Sequence, residues 1–199
     1  DKEYKPYNFS YCFKVKSSDQ VILANIQNKR INLLDEVEIR DQIITPLNKD
    51  SKIVYKPYID AGVTNEDANW EEKFWEPLDV KHTENKAFVT ARTFKTHFIA
   101  TTFMQNNILS NGKNLNITTE NIESSKEKIQ FIYAVSVSKG EQSAIEKIGG
   151  YTISLNHENT QIGAENAIKS ALAKGYNQLL QDQIDAWAKI WEMSDITID

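Results

Sequence analysis

The residues from which this chain could build chemistry are three histidines, a scatter of carboxylates and two tryptophan-bearing segments. His157-Glu158-Asn159-Thr160-Gln161 begins as a zinc-protease helix does, but Gln161 stands where a second histidine would complete the ligand pair. His82 and His97 lie in other segments at no zinc spacing, so all three are expected to be structural or surface residues, and no metal is expected. No Gly-x-Ser-x-Gly stretch offers a nucleophile elbow. Gly149-Gly150 and Gly112-Lys113 lack the flanking glycines and the Ser or Thr of a phosphate loop, so no cofactor is implied. Glu71 and Glu76 are a carboxylate pair of the kind that works on glycosidic bonds, though an acidic loop of this composition reads as solvated surface. In the same segment Trp70, Phe74 and Trp75 are the candidates for a carbohydrate site. An indole face offers broad surface to the C–H groups of a sugar, and neighbouring carboxylates accept from its hydroxyls. The competing reading is that these rings cap the core where a loop crosses a sheet. Asn8-Phe9-Ser10 and Asn116-Ile117-Thr118 match the glycosylation pattern, which matters only in a eukaryotic secretory protein.

Whatever positions these residues must be a folded, ordinary-sized unit. The chain has 199 residues, 40% hydrophobic and 26% charged, enough to bury a core without metals or disulfides. Cys12 is the single cysteine and is expected to be a small buried apolar residue. Net charge is −5 with lysines scattered among acids, which disfavours nucleic acid, since such binding rests on clustered positive charge. No apolar run approaches the ~18 residues of a membrane span, and the first twenty residues lack a signal-peptide core. The expectation is a soluble chain, with the cytoplasm favoured over export and no membrane partner.

From Tyr7 every second residue to Val15 is apolar or aromatic, the pattern of a half-buried strand. Val21 to Ala24 fits a strand or a turn of helix, and Arg30 to Ile44 fits two strands. Lys52 to Ile59 reads as a strand with Pro57 at an edge or bulge. Asp60 to Asn69 reads as loop, and Trp70 to Pro77 as an aromatic, loop-like segment. Ala87–Phe94 and Thr96–Met104 form an expected hairpin, Asn111-Gly112 a turn, and Leu115–Thr118 a short strand. The strongest strand signal is Glu127 to Ser138, with Ile129, Phe131, Tyr133, Val135 and Val137 on one face. Many strands without interleaved helices mean an antiparallel β-sandwich.

From Ala164 the period changes. Ala167, Ile168, Ala171, Leu172, Tyr176, Leu179, Leu180, Ile184, Trp187, Ile190 and Trp191 follow steps of three and four, one stripe along a helix. Gly175 is expected to sit at a joint between two helices or a kink, and Ser194-Asp195 to end the helical part. The stripe must lie on something apolar, and the short β-like tail Ile196 to Asp199 reads as a chain cut rather than finished. The alternative is a self-contained helix packed on the sandwich.

The tail Ala186-Trp187-Ala188-Lys189-Ile190-Trp191-Glu192-Met193-Ser194-Asp195-Ile196-Thr197-Ile198-Asp199 resembles the end of the N-terminal domain of glycoside hydrolase family 65, the maltose, trehalose and kojibiose phosphorylases and related hydrolases. There a Trp-x-x-x-Trp pair and a Ser-Asp-Ile segment precede the catalytic barrel. Ala173-Lys174-Gly175-Tyr176 with Leu179-Leu180 resembles the preceding linker helix, and Lys128 to Ser138 the strand that leads towards it. Asn32 to Ile44 and Thr90-Ala91-Arg92-Thr93 resemble family strands more loosely. The resemblance implies a mainly β fold, an antiparallel super-sandwich over 1–161, and linker helices over 162–199 leading to an (α/α)6 barrel. It implies that the acid and the phosphate- or water-handling residues lie in that barrel. Trp187 and Trp191 would then make the inter-domain contact, with the barrel as partner and a homodimer as a further partner. The rival is a free-standing carbohydrate-binding module built on Trp70, Phe74 and Trp75.

Overall fold

The computed structural model describes residues 7–17, 20–32, 37–64, 73–116 and 119–194, with side chains described from Asp41 onward. The strands are β1 (Tyr7–Ser17), β2 (Gln20–Asn32), β3 (Val37–Pro46), β4 (Ser51–Tyr55), β5 (Tyr58–Asp60), β6 (Trp75–His82), β7 (Lys86–Thr93), β8 (Ile99–Ser110), β9 (Lys113–Leu115), β10 (Asn121–Ser124), β11 (Lys128–Val137) and β12 (Ser143–Ile153). One helix, α1 (Thr160–Ser194), follows. The large sheet runs β1-β2-β3-β12-β8-β7-β6, with β9 paired to β8; the small sheet runs β10-β11-β4, with β5 also on β11.

Alternation along the strands builds three layers. On β7 and β8, Phe88 lies opposite Phe103 and Ala87 opposite Met104. Phe88 and Phe103 join Ala164 and Ile168 of α1 in one cluster. Ala87, Val89, Met104, Ile108 and Ile145 face the other way, against Ile129, Phe131, Tyr133, Val135 and Val137 of the small sheet. The large sheet is thus covered by the small sheet on one face and by the helix on the other. Each fully buried side chain of this kind contributes about 1.5–3 kcal/mol. The expected sandwich is present, and its helix is seated on it for part of its length.

Several local features have direct causes. The Arg30–Ile44 region divides into the end of β2 and most of β3, and Val21–Ala24 falls inside β2. The expected strand Lys52–Ile59 is interrupted at Lys56-Pro57, and its two pieces pair with different halves of β11. Pro57 has no N–H to give; its carbonyl accepts from the Phe131 amide at 3.0 Å. Of the expected loop-like segment Trp70 to Pro77, residues 70–72 lie outside the described residues, 73–74 are irregular, and Trp75 opens β6. A proline inside that strand is tolerated because β6 ends the sheet and its register slips between Pro77 and Asp79. The short strand near Leu115 lies at Lys113–Leu115, while residues 117–118 are outside the described residues. β12, which no alternation in the sequence signalled, pairs with both β3 and β8 in the middle of the sheet.

The helix starts at Thr160, four residues before the periodic stripe. The Asn159 side chain accepts from the Ile162 amide at 3.0 Å, a standard N-cap. A ladder of threonines then fixes this end to the sheet. Thr90 and Thr101 are 2.9 Å apart, Thr101 and Thr160 2.8 Å, and the Thr152 hydroxyl donates to the Thr160 carbonyl at 2.6 Å.

At the opposite end of the core the Tyr55 hydroxyl, on a residue only 4% exposed, donates to Ser143 Oγ at 3.0 Å. Burial outweighs that bond and pushes its pKa from 10.0 up to about 12. The folded state therefore favours the neutral phenol. Its contribution is complete below pH 10 and is lost as pH rises through about 12, roughly 2–3 kcal/mol in all. The Tyr55→Phe protein is expected to lose less stability between these pH values than the unaltered protein. Denaturant midpoints measured across that range would expose an unchanged slope, which would place the alkaline loss elsewhere.

Candidate functional site

The aromatic segment before β6 and the end of α1 hold the residues singled out by sequence. Trp70 and Glu71 lie outside the described residues. Phe74 is exposed, and its carbonyl accepts from the Phe94 amide at 3.1 Å. Trp75 is half-buried on β6, its ring tilted against Phe98 with centroids 6.3 Å apart. Glu76 is held by Arg92 of the neighbouring strand, at 2.6 Å from Nη2 and 3.2 Å from Nε. This carboxylate is engaged as an ion pair.

The histidines are dispersed. His82 closes β6 and His97 lies in the β7–β8 turn, both exposed. The His157 imidazole fills the space beside Gly163, where an added Cβ would come within 2.7 Å of its Nδ1. Among the described residues no group of three His, Cys, Asp or Glu side chains could hold a metal ion.

The helix divides into two parts at Gly175, whose φ of 71° and ψ of 168° are not helical. Glycine adopts that φ without the penalty other residues incur. Lys174, just before the joint, donates to Asp182 at 2.8 Å, and Gln178 donates to the same carboxylate at 2.8 Å. These bonds hold the Asp182 carboxyl below its usual pKa. On the first arm Ala164, Ile168 and Ala171 are buried; on the second, Leu179 and Gln183 are. Tyr176 sits beside Leu179 on the Ile148 cluster. Its pKa is raised by burial first and then by the negative charges of Asp41 and Glu146.

Beyond Gln183 no described residue of α1 is buried. Here the stripe continues as Ile184, Trp187 and Ile190, all half-buried, to Trp191, which is 52% exposed. The Trp187 and Trp191 rings stack on each other, 6.3 Å between centroids and 29° between planes. The two indoles together form an apolar patch that a partner surface can cover. The predicted pair is thus brought together, one helical turn apart. A second feature, which no motif signalled, is a polar cleft at one end of the sandwich between β8 and β11.

Residues 36–190 match the family model of the glycosyl hydrolase family 65 N-terminal domain. The chain belongs to this family. As a family 65 N-terminal domain it is 21% identical over 154 residues to "Maltose phosphorylase" of Bacillus subtilis (strain 168), an alignment covering 76% of this chain and 20% of that protein. A solved structure, "Putative kojibiose phosphorylase from human microbiome", superposes with a TM-score of 0.73 at 12% identity, over 92% of this chain and 23% of that one. At that identity the likeness shows the fold. The family 65 N-terminal domain thus spans about a fifth of the length of each of these phosphorylase relatives. Its matched range extends along α1 to Ile190 and so includes most of the helix.

Proposed function

We propose that this chain acts as the non-catalytic β-sandwich domain of a larger enzyme of the disaccharide phosphorylase type. Residues 1–161 form the sandwich, and 162–199 form a helical connector to a catalytic (α/α)6 barrel. The observation that carries this reading is the end of α1, where an apolar stripe runs on past the sheet that buries its first arm. In the parent, phosphate or water attacks the α-glucosidic bond with inversion, using residues of the barrel. The domain packs on that barrel, shapes one side of the substrate entrance and supports a homodimer. A free-standing carbohydrate-binding module has the exposure of Phe74 in its favour, but the packing of Trp75 on Phe98 leaves that ring less free to stack on a sugar.

The test is an assay of the purified chain with maltose, trehalose and kojibiose, with and without phosphate, following glucose and glucose phosphate. No turnover is expected in either condition. Turnover that persisted through repurification would place a catalytic site within these residues and overturn the reading.

A further inference from the structure

The cleft between the sheets has a volume of about 330 Å³, at the lower end of small-molecule sites. Two of its lining residues are Asn106 of β8 and Tyr133 of β11, each 2% exposed. Both side-chain polar atoms of Asn106 and the Tyr133 hydroxyl are buried and make no hydrogen bond of good geometry within the protein, although the hydroxyl lies close to the Asn106 and Thr119 side chains. Burial raises the Tyr133 pKa, with nearby Thr119 and Asn106 partly offsetting the rise. The phenol therefore stays neutral, able both to donate and to accept. A polar molecule in the cleft can pair with these groups, each such bond being worth about 1 kcal/mol net.

The remaining walls define the ligand. Asn85, Asn114 and Asn116 offer amides that both donate and accept, while Ile108 and Leu115 contribute an apolar patch. Among the described residues no lysine, arginine or histidine lines the cleft, and Glu84 adds negative charge. An anion meets no positive charge among these residues. A flat aromatic ligand has, among the described lining residues, no ring besides Tyr133 to stack on. What suits neutral amides around a small apolar patch is a neutral molecule with a hydroxyl on nearly every carbon and one C–H-rich face.

We propose that this cleft is a binding site for a single sugar ring, with Asn106 and Tyr133 satisfied by its hydroxyls. The site is separate from the Trp187–Trp191 face, and the proposal does not depend on the role of that face. The ring is either a free hexose or the end residue of a longer glycan.

Side-chain amide signals of the ¹⁵N-labelled chain would be followed by NMR during titration with glucose, with maltotetraose and, separately, with inorganic phosphate. Saturable movement of the signals of Asn85, Asn106, Asn114 and Asn116 with either sugar is expected. A tighter response to maltotetraose would identify the ligand as a chain end, and one no tighter than glucose as the free hexose. Tyr133→Phe keeps the ring that fills the core and removes only the hydroxyl. It is expected to weaken binding about tenfold, the worth of one hydrogen bond. Asn114→Ala, at an exposed wall position, is expected to weaken binding by a similar factor without loss of fold. Absence of saturable movement with both sugars would overturn the proposal. So would movement with phosphate in their place, or unchanged sugar affinity in both folded variants.

Discussion

Replacing Phe103 with alanine is expected to destabilise the protein by about 3–5 kcal/mol, the range for deleting a large aromatic from a packed core. Phe103 is 1% exposed and joins Phe88 to Ala164 and Ile168. The lost contacts therefore lie between sheet and helix. Met104 is fully buried on the opposite face, among Ala87, Val89 and the small sheet. Met104→Ala should cost about 2–5 kcal/mol, but the damage belongs to the other interface. Hydrogen exchange separates the two. Phe103→Ala should accelerate exchange in residues 160–171, and Met104→Ala in β11. Against a total stability of about 5–15 kcal/mol, either change is large. A cost below about 1 kcal/mol for Phe103→Ala would mean that α1 is not seated on the sheet as described.

The second large effect concerns association. If the end of α1 packs on a catalytic barrel, stacked indoles at its centre should behave as hot spots, each worth about 2 kcal/mol or more. Trp187→Ala and Trp191→Ala are each then expected to weaken binding between this chain and the separately expressed catalytic segment about 30-fold. Trp191 is 52% exposed, so its removal should change the domain's own stability by less than about 1 kcal/mol. Light scattering on the mixed segments and on each variant provides the measurement. Failure of the unaltered segments to associate, or indifference to both substitutions, would remove the docking role from this face.

How much of this was legible beforehand follows from which layers cover each strand. β11 carries Ile129, Phe131, Tyr133, Val135 and Val137 on one face and, apart from Ile132, smaller or polar residues on the other, so its alternation is plain in the sequence. The hairpin of β7 and β8 was readable from its density of Thr, Val, Phe and Ile. β12 was not. It lies between the small sheet and the helix, with Ile145 serving one and Ile148 the other, so its two faces do not contrast. Its central Gly149-Gly150 also mimics a turn. The structure gives Gly149 a different reason: an added Cβ would lie 3.2 Å from the Phe103 carbonyl. β6 was obscured by Pro77, which is compatible with a strand only at the edge it occupies. The helix was legible in phase, including the break at Gly175, while its true start was hidden because the first turn is held by threonine hydroxyls rather than apolar residues. Trp187 and Trp191 could be found by their spacing alone. The cleft could not, since its walls come from residues as distant as Glu84 and Tyr133, and only the pairing of strands brings them together.

The bulged edge at Pro77 also bears on how this chain behaves at high concentration. A free sheet edge is a template onto which another chain can add a strand, the first step of edge-to-edge aggregation. On β6 that template is spoiled three times over. Pro77 lacks a donor, the register slips before Asp79, and Asp79 and Lys81 set paired charges 3.1 Å apart beside the break. The proline that made this strand hard to recognise is the same residue that makes its rim a poor template for a second molecule.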